Sequence, residues 1–329
     1  MPQRYRALKK ERQVFREKIK VFDCTIRDGG LINNHDFDMR FVRAVYKALS
    51  EAGVDYMEIG YKNSKKLFAP KDFGTWKFCD DDDIKKAIDG VESKMKLSVM
   101  VDVDRVDVDD IKKKKDSPVD MIRVAAYAKD IDKAIFLVNN FADKGYETTV
   151  NIMAVSRTLD NELNEALHQL EKESKTQVIY IVDSFGALYQ ESIEFLVKKF
   201  KSILKTKEIG IHAHNNQQLG FSNTIEAIIH DANYVDGTVY GLGRAAGNCP
   251  LELLIGFLKN PKYDIRPILD LISKEFIPLR EKMEWGYIIP YAITGILDEH
   301  PKSAIALRES DKKENYREFY ESLLGDDID

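Results

Sequence analysis

The sequence predicts an α/β protein, a closed (β/α)8 barrel with a helical C-terminal extension. Eight short runs rich in Val and Ile recur along the chain, and amphipathic segments with helical spacing lie between them. The connections span roughly 20 to 40 residues, which suits eight parallel strands in a barrel better than a doubly wound sheet of five or six strands. From about residue 260 onward no strand-like alternation is found, which predicts helices.

Each predicted strand is a short apolar run that precedes a helical pattern. In chain order the predicted strands span 20–26, 54–61, 96–104, 119–127, 147–155, 177–184, 208–214 and 234–241. The clearest helical periodicity is found over 41–53, 132–145, 192–204 and 223–232. Gly53 and Gly145 close two of these segments, where a left-handed helix cap is expected.

The change of pattern along the chain predicts three regions. They are a basic helical lead-in over 1–18, a barrel catalytic domain over 19–260 and the helical extension over 261–329. No low-complexity linker separates the barrel from the extension. We therefore expect the extension to pack against the barrel.

Composition excludes several classes of protein. The 329 residues are 44% hydrophobic and 32% charged, and the formal net charge of -5 gives no attraction to nucleic acid or to a membrane. Three widely separated cysteines, Cys24, Cys79 and Cys249, form neither a disulfide framework nor a zinc knuckle. No apolar run has the character of a signal peptide or the length of a membrane span, so a cytoplasmic protein is predicted.

Two histidines lie one residue apart at the end of the seventh predicted strand, in the sequence IHAHNN. Because strand side chains alternate, His212 and His214 project to the same face. The carboxyl ends of barrel strands are where barrel enzymes build their active sites. The pair therefore predicts a metal site, and the alternative is two histidines held by hydrogen bonds in the core.

Two further loops at this end carry polar or glycine-rich sequence. After strand one come Arg27, Asp28, Gly29 and Gly30, which offer a carboxylate ligand, a cation and a flexible backbone. After strand eight comes GLGRAAGNCPLE over 241–252, typical of a loop that wraps an anionic substrate. The alternatives are a capping ion pair in the first loop and an ordinary connection in the second.

Taken together, these motifs resemble those of a known enzyme family. RDGG, HAHNN and GLGRAAGNCPLE occur in the order found in the metal-dependent aldolase and Claisen-condensing barrels, the DRE-TIM metallolyases, which include HMG-CoA lyase. The resemblance covers about residues 19–258 and includes EIG at 58–60 and VDSFGAL at 182–188. Within the family the chain is most similar to the 4-hydroxy-2-oxovalerate aldolases.

The resemblance implies a set of site residues. Asp28, His212 and His214 would bind a divalent metal, with Asn248 near it or coordinating it. Arg27 would bind substrate and stabilise enolate charge, while Glu58 would hold this arginine. The implied substrate contacts also include Asp183, Ser184 and Gly243. Two imidazoles and one carboxylate favour Mn²⁺ or Mg²⁺, and Co²⁺ and Zn²⁺ are alternatives.

One departure from the aldolase pattern concerns the general base. In the aldolases a histidine follows RDG after one intervening residue, whereas this chain has Leu31 at that position, and leucine cannot transfer a proton. The nearest substitute is His35, whose alternative role is an ordinary surface loop residue. Tyr291, in PYAITG, resembles the tyrosine-bearing segment after the aldolase barrel and is a candidate proton donor.

The predicted activity is cleavage of a 4-hydroxy-2-oxo acid to pyruvate and an aldehyde, or the reverse condensation, through a metal-bound pyruvate enolate. One alternative is a Claisen-type reaction of an acyl-CoA with a 2-oxo acid. Another is a non-catalytic barrel that binds a metabolite, since the usual base is missing. The expected partners are the small-molecule oxo acid and aldehyde. A homodimer and a dehydrogenase partner both stay open.

Overall fold

A computed structural model describes residues 17–325 of the chain. Eight strands form a closed barrel in the order β1 to β8, and each strand pairs in parallel with the next, while β8 pairs with β1. The predicted (β/α)8 barrel with C-terminal helices is therefore confirmed. The predicted lead-in over 1–18 lies outside the described residues except for its last two, and the three region boundaries stay a prediction.

Every predicted strand coincides with an observed one. The strands are β1 (Lys20–Asp23), β2 (Tyr56–Tyr61), β3 (Lys96–Asp102), β4 (Met121–Ala126), β5 (Glu147–Ile152), β6 (Val178–Asp183), β7 (Glu208–Ala213) and β8 (Tyr234–Gly237). β2, β4 and β6 are buried at every residue, and each of the other strands at all but one or two. This burial on both faces explains the continuous Val and Ile runs, because helices cover the outside of a parallel barrel.

The helices follow the predicted periodicity. In the barrel they are α1 (Thr25–Gly29), α2 (Met39–Glu51), α3 (Asp81–Ile88), α4 (Ile131–Asp143), α5 (Asp160–Glu173), α6 (Gln190–Ile203), α7 (Gly220–Ile229) and α8 (Leu251–Leu258). The extension contains α9 (Arg266–Leu271), a π-helical turn (Ile272–Phe276), α10 (Ile277–Arg280), α11 (Ile289–Ile296), α12 (Lys302–Arg308) and α13 (Tyr316–Gly325). Its first part joins the main core through Phe276 and Trp285.

The first predicted strand is too long, and the correction matters for the site. β1 ends at Asp23, whose carboxylate accepts the Thr25 amide at 3.1 Å. The Asp28 amide then donates to Cys24 O at 2.9 Å, which begins the short helix α1. Asp28 is therefore held on a helical turn instead of a loop. A carboxylate on a hydrogen-bonded turn has a fixed direction, which a metal ligand requires.

The two ends of the barrel differ in character. A cavity of about 890 Å³ opens where the strands begin, and its walls include Lys20, Tyr56 and Tyr234. This end carries none of the predicted site residues, and in barrel enzymes it serves stability more than chemistry. Among the residues that the structure describes, no helix is long and apolar enough to cross a membrane.

Candidate metal centre and active site

Three predicted metal ligands converge at the carboxyl end of the barrel. His212 Nε2 lies 3.8 Å and His214 Nε2 3.7 Å from Asp28 Oδ2, and the two imidazole rings are 5.0 Å apart between centroids. One ligand atom from each residue falls within 4.8 Å of the other two. Three atoms of this kind can face a single divalent ion.

The second ring nitrogen of each histidine is already engaged. His212 Nδ1 lies 2.9 Å from Asp236 Oδ2, and His214 Nδ1 lies 2.8 Å from the carbonyl oxygen of Asp183. A carbonyl can only accept, so His214 carries its proton on Nδ1, and the carboxylate favours the same tautomer for His212. Both Nε2 lone pairs are therefore directed toward Asp28.

A buried chain of charges supports these ligands. Arg27 Nε donates to Glu58 Oε2 at 2.7 Å, and its Nη1 donates to Asp28 Oδ1 at 3.1 Å. Arg123 joins the far side, with Nη1 3.2 Å from Glu58 Oε2 and Nη2 2.6 Å from Asp236 Oδ2. Glu58 thus holds Arg27, as the family resemblance implied. Fully buried charges of alternating sign keep one another in place because none has water to replace its partner.

This arrangement sets the protonation states of the carboxyl groups. Burial alone would raise the pKa of Asp28, but Arg27 and the two imidazoles lower it below its usual range. Burial likewise opposes ionisation of Asp236, while Arg123 and His212 bring its pKa down to about 2. Burial lowers the pKa of His214 to about 4. Near neutral pH the site therefore presents carboxylates and a neutral His214, which are the ligand forms of these groups.

The loop after β8 closes the site. His214 forms an isolated antiparallel bridge with Asn248, whose Nδ2 donates to Asp28 Oδ2. Gly243 lies against this contact, so that a Cβ there would overlap Asn248 Nδ2 and approach Asp28 Oδ2 to 3.1 Å. Only glycine leaves room for the amide at this point. The glycines of the strand-eight loop thus bring a side-chain amide to the ligand set.

His35 is buried, not a surface loop residue. Asn34 and His35 both adopt left-handed backbone conformations, at φ 54° and 63°, which turn the loop back so that the His35 amide donates to Gly30 O at 2.7 Å. The side chain is 2% exposed and contacts Tyr61 edge-on, with ring centroids 5.2 Å apart. Burial and the cations Lys77 and Arg27 lower its pKa to about 3. Leu31 packs against the hydrophobic cluster that contains this tyrosine.

Three other predicted residues have contacts of their own. The Asp183 carboxylate accepts the Ala187 amide at 2.9 Å, and Ser184 Oγ accepts the Ala154 amide at 2.8 Å, so both shape the loops beside His214. The Tyr291 hydroxyl donates to Glu284 at 3.0 Å, and the ring belongs to a small hydrophobic cluster in which the extension packs on Ala245 and Ala246 of the loop after β8. The structure does not bring this hydroxyl to the ligand set. The substrate and catalytic roles of these residues stay predictions.

Sequence reasoning missed Arg123 and Asp236. Both are almost fully buried, and they connect His212 to Glu58 across the barrel interior. A signal was present, since each interrupts a buried strand, MIRVAA in β4 and YVDG in β8. A lone charge in such a strand requires a buried partner.

The residues present fit a divalent metal. His212 Nε2 and Asn248 Oδ1 are buried and lack a hydrogen-bond partner within the described part of the chain. Unpaired buried polar atoms are costly, and both are of the type that ligates divalent cations. With Asp28 and His214 they form a mixed nitrogen and oxygen set.

Comparison with known proteins identifies the family of the chain. The family model described as HMGL-like matches residues 18–273. A 4-hydroxy-2-oxovalerate aldolase from Thermus thermophilus is 29% identical over 284 residues, which cover 83% of this chain and 81% of that protein. An oxaloacetate decarboxylase from Mycobacterium tuberculosis is 27% identical over 240 residues, or 73% of this chain and 69% of that protein.

A solved structure gives the same result. The N-terminal domain of an aldolase candidate from Bacteroides vulgatus is 29% identical and superposes with a TM-score of 0.77, covering 89% of this chain and 97% of that one. The family model alone spans well over half of the chain. The chain therefore belongs to the HMGL-like family of enzymes, and the predicted family and the predicted class, a carbon–carbon lyase, are both confirmed.

Proposed function

We propose that the protein is a divalent-metal-dependent aldolase that cleaves a 4-hydroxy-2-oxo acid to pyruvate and an aldehyde, or condenses the two. The observation that carries the proposal is the convergence of Asp28, His212 and His214, with each imidazole held by its other nitrogen. The similarity to 4-hydroxy-2-oxovalerate aldolases over most of the chain supports the reaction class.

Asp28, His212 and His214 would hold the metal, with Asn248 beside it, and Mn²⁺ or Mg²⁺ suits this mixed set. When bound, the metal supplies Lewis acidity to the 2-oxo oxygen. Arg27 stabilises negative charge at the same oxygen, because Glu58 and Asp28 hold its guanidinium in one orientation. Its remaining Nη2 has no partner within the described residues and is available to substrate.

In the cleavage direction one electron pair moves, and one proton passes from the 4-hydroxyl to a base and from the protonated base to C3. The 4-hydroxyl gives its proton to a base as the C3–C4 bond breaks, and the electron pair of that bond forms the pyruvate enolate while the aldehyde leaves. The enolate then takes a proton at C3. We assign the base to His35, because it is buried, its Nδ1 lies against Gly30 at the end of the turn that carries Asp28, and the charges of Arg27 and Asp28 act on it.

Exchange of the pyruvate methyl protons with D2O tests the proposal directly. With Mn²⁺ present the protein should catalyse this exchange, since enolisation is half of the reaction and needs metal, Arg27 and base together. His35→Gln should slow both exchange and cleavage by about 10²- to 10⁴-fold. His168→Gln, at an exposed histidine of α5, is the matched control. Absence of exchange in the wild type would exclude the proposed function, and full exchange in His35→Gln would exclude His35 as the base.

The ligand assignment has its own test. Asp28→Asn and His212→Ala should each lose bound Mn²⁺ in elemental analysis and lose turnover. Equal metal content in the variants and the wild type would remove these residues from the ligand set.

The proposal extends to the surroundings of the enzyme. A small-molecule oxo acid and an aldehyde are the proposed substrates, and the cytoplasm is the proposed location. Within the described residues all three cysteines are free and buried, which supports a reducing compartment.

A further inference from the structure

A lysine without a counter-ion lies next to the proposed active site. Lys77 is 6% exposed and is the only lysine that is buried among residues 17–325. Its Nζ lies 4.6 Å from the ring centroid of Phe68 and 5.1 Å from those of Tyr61 and Phe73. Within the described part of the chain Lys77 forms no ion pair. Asp102 is the carboxylate whose charge acts on it most, and Asp102 is paired with Arg105 at 3.2 Å.

The position of Lys77 is fixed by the loops around it. It ends the short 3-10 helix Thr75–Lys77 between β2 and α3. This loop is joined to the loop after β1, since the Gly74 amide donates to Asn34 O at 2.9 Å and Trp76 Nε1 donates to Phe37 O at 2.8 Å. These bonds fix the backbone from which the Lys77 side chain extends.

The Lys77 ammonium lacks hydrogen-bond acceptors among the described residues. Burial of a cation is unfavourable, and contact with three aromatic faces offsets only a part of this cost. The other lysine of this loop that is partly buried, Lys62, donates to Cys79 O at 2.7 Å and pairs with Asp81. Lys77 has three N–H donors and no protein acceptor for them within the described residues. An anionic ligand is the partner that would satisfy them.

Lys77 and the proposed base contact the same aromatic side chain. Lys77 Nζ lies 5.1 Å from the ring centroid of Tyr61, and the His35 ring centroid lies 5.2 Å from it. The charges of Lys77, Arg27 and Asp28 all act on His35, so both the lysine and the first turn of the proposed site lie near this histidine. Leu31, Met100 and Met153 belong with Tyr61 to one small hydrophobic cluster, the Tyr61 cluster.

We propose that Lys77 is a specificity-determining residue that binds an anionic group, a carboxylate or a phosphate, at the far end of the aldehyde. This inference rests on the proposed aldolase function. The aldehyde carbon would lie beside His35, the carbon chain of the aldehyde would pack along the Tyr61 cluster, and its anionic group would accept hydrogen bonds from the Lys77 ammonium. An anion at Lys77 would also offset the cation that contributes most, after burial, to the low pKa of His35.

The test compares acceptors that differ in charge. Condensation of pyruvate with butanal, with its terminal-carboxylate analogue 4-oxobutanoate and with glyceraldehyde 3-phosphate gives kcat/KM for each. The wild type should prefer a charged aldehyde by at least about 10-fold, and the better of the two identifies the anion. Lys77→Met should lower kcat/KM for that aldehyde by about 10- to 100-fold, mainly through KM, because a charge-assisted hydrogen bond is lost. Any effect of losing the Lys77 cation on His35 is common to all three aldehydes, so the readout is the ratio of kcat/KM for the charged aldehyde to kcat/KM for butanal, which should fall by about the same 10- to 100-fold.

Two further variants make the result specific. Lys77→Arg keeps the charge and should keep the preference, while Lys71→Met removes an exposed lysine of the same loop and should change nothing. Equal losses for charged and uncharged aldehydes in Lys77→Met would overturn the inference and leave Lys77 as a packing residue. If Lys77→Met does not fold, a wild type without charge preference overturns it equally well. Failure of pyruvate exchange in the wild type would instead overturn the proposed function itself.

Discussion

Replacement of Asp236 by asparagine tests whether the buried charge chain prepares the metal centre. One oxygen of Asp236 faces His212 Nδ1 at 2.9 Å and Arg123 Nη2 at 2.6 Å. An asparagine oxygen can accept from these donors, but its amide group cannot supply the negative charge that both partners need. In Asp236→Asn, His212 keeps at most a neutral acceptor for its Nδ1 proton, so the tautomer with the lone pair on Nε2 is held less firmly and the imidazole becomes a weaker ligand.

The contacts give two separate magnitudes. Loss of the group that orients a metal-binding histidine weakens metal binding by about 10- to 100-fold, or ~1.4 to 2.8 kcal/mol. Loss of the Asp236 charge also leaves the buried Arg123 with one carboxylate partner instead of two. Because Glu58 remains at 3.2 Å, the free energy of unfolding of the metal-free protein should fall by only ~3 kcal/mol, the lower end for a broken buried ion pair. Both effects should be present in one variant, because one oxygen serves both partners.

Calorimetric titration with Mn²⁺ measures the first effect, and urea unfolding of the metal-free protein measures the second. Asp311→Asn, at an exposed aspartate of the extension, makes the same chemical change away from the site and should match the wild type in both measurements. If Asp236→Asn binds Mn²⁺ as tightly as the wild type, Asp236 does not orient a metal ligand, and the place of His212 in the ligand set must be reconsidered.

Two further predictions concern a close approach and a buried carboxyl group. In Gly243→Ala a methyl group would displace Asn248 from Asp28, so Mn²⁺ binding should weaken at least about tenfold. The control is Gly256→Ala, where nothing lies within 4 Å, and it should stabilise α8 by ~0.5 to 1 kcal/mol and leave Mn²⁺ binding unchanged. Equal Mn²⁺ affinities of Gly243→Ala and the wild type would contradict the role given to Gly243. Burial raises the pKa of Asp183 from 3.8 to about 7, so the native state holds a proton that the unfolded state has lost, and stability falls as pH rises from about 4 to 7 by up to ~1.4 kcal/mol per unit. In Asp183→Asn the free energy of unfolding, measured with urea, should fall less steeply with pH. Asp23, whose pKa burial also raises to about 7, contributes the same slope in both proteins. An unchanged slope in the variant would exclude a protonated Asp183 in the native state.

Local sequence predicted most of the fold because its signals act over short distances. All eight strands were predicted from apolar runs, and their errors lie at the ends, as where the run 20–26 continues past Asp23. There the carboxylate of Asp23 accepts an amide two residues on and turns the chain into α1. Such a competition between a side chain and a strand ladder is decided by geometry that a hydrophobic pattern does not encode.

The metal-ligand candidates were predictable for a related reason. His212 and His214 share a strand face by strict alternation, and Asp28 follows the first strand in a motif of recognisable order. Arg123 and Asp236 were not singled out, since nothing in a single strand tells which charge will oppose it across the barrel. The family resemblance located the ligands but gave no substitute for the histidine that Leu31 replaces.

The sequence by itself determined the class of fold, the family and the candidate ligands, because periodicity and short motifs depend on neighbours along the chain. Tertiary structure alone decided that His35 is buried beside Tyr61, that Tyr291 turns to Glu284, and that Lys77 has aromatic faces but no counter-ion within the described residues. Each of these facts depends on contacts between loops that are distant in sequence. Barrel closure brings such loops to one rim, and their pairing there determines which groups can reach a substrate.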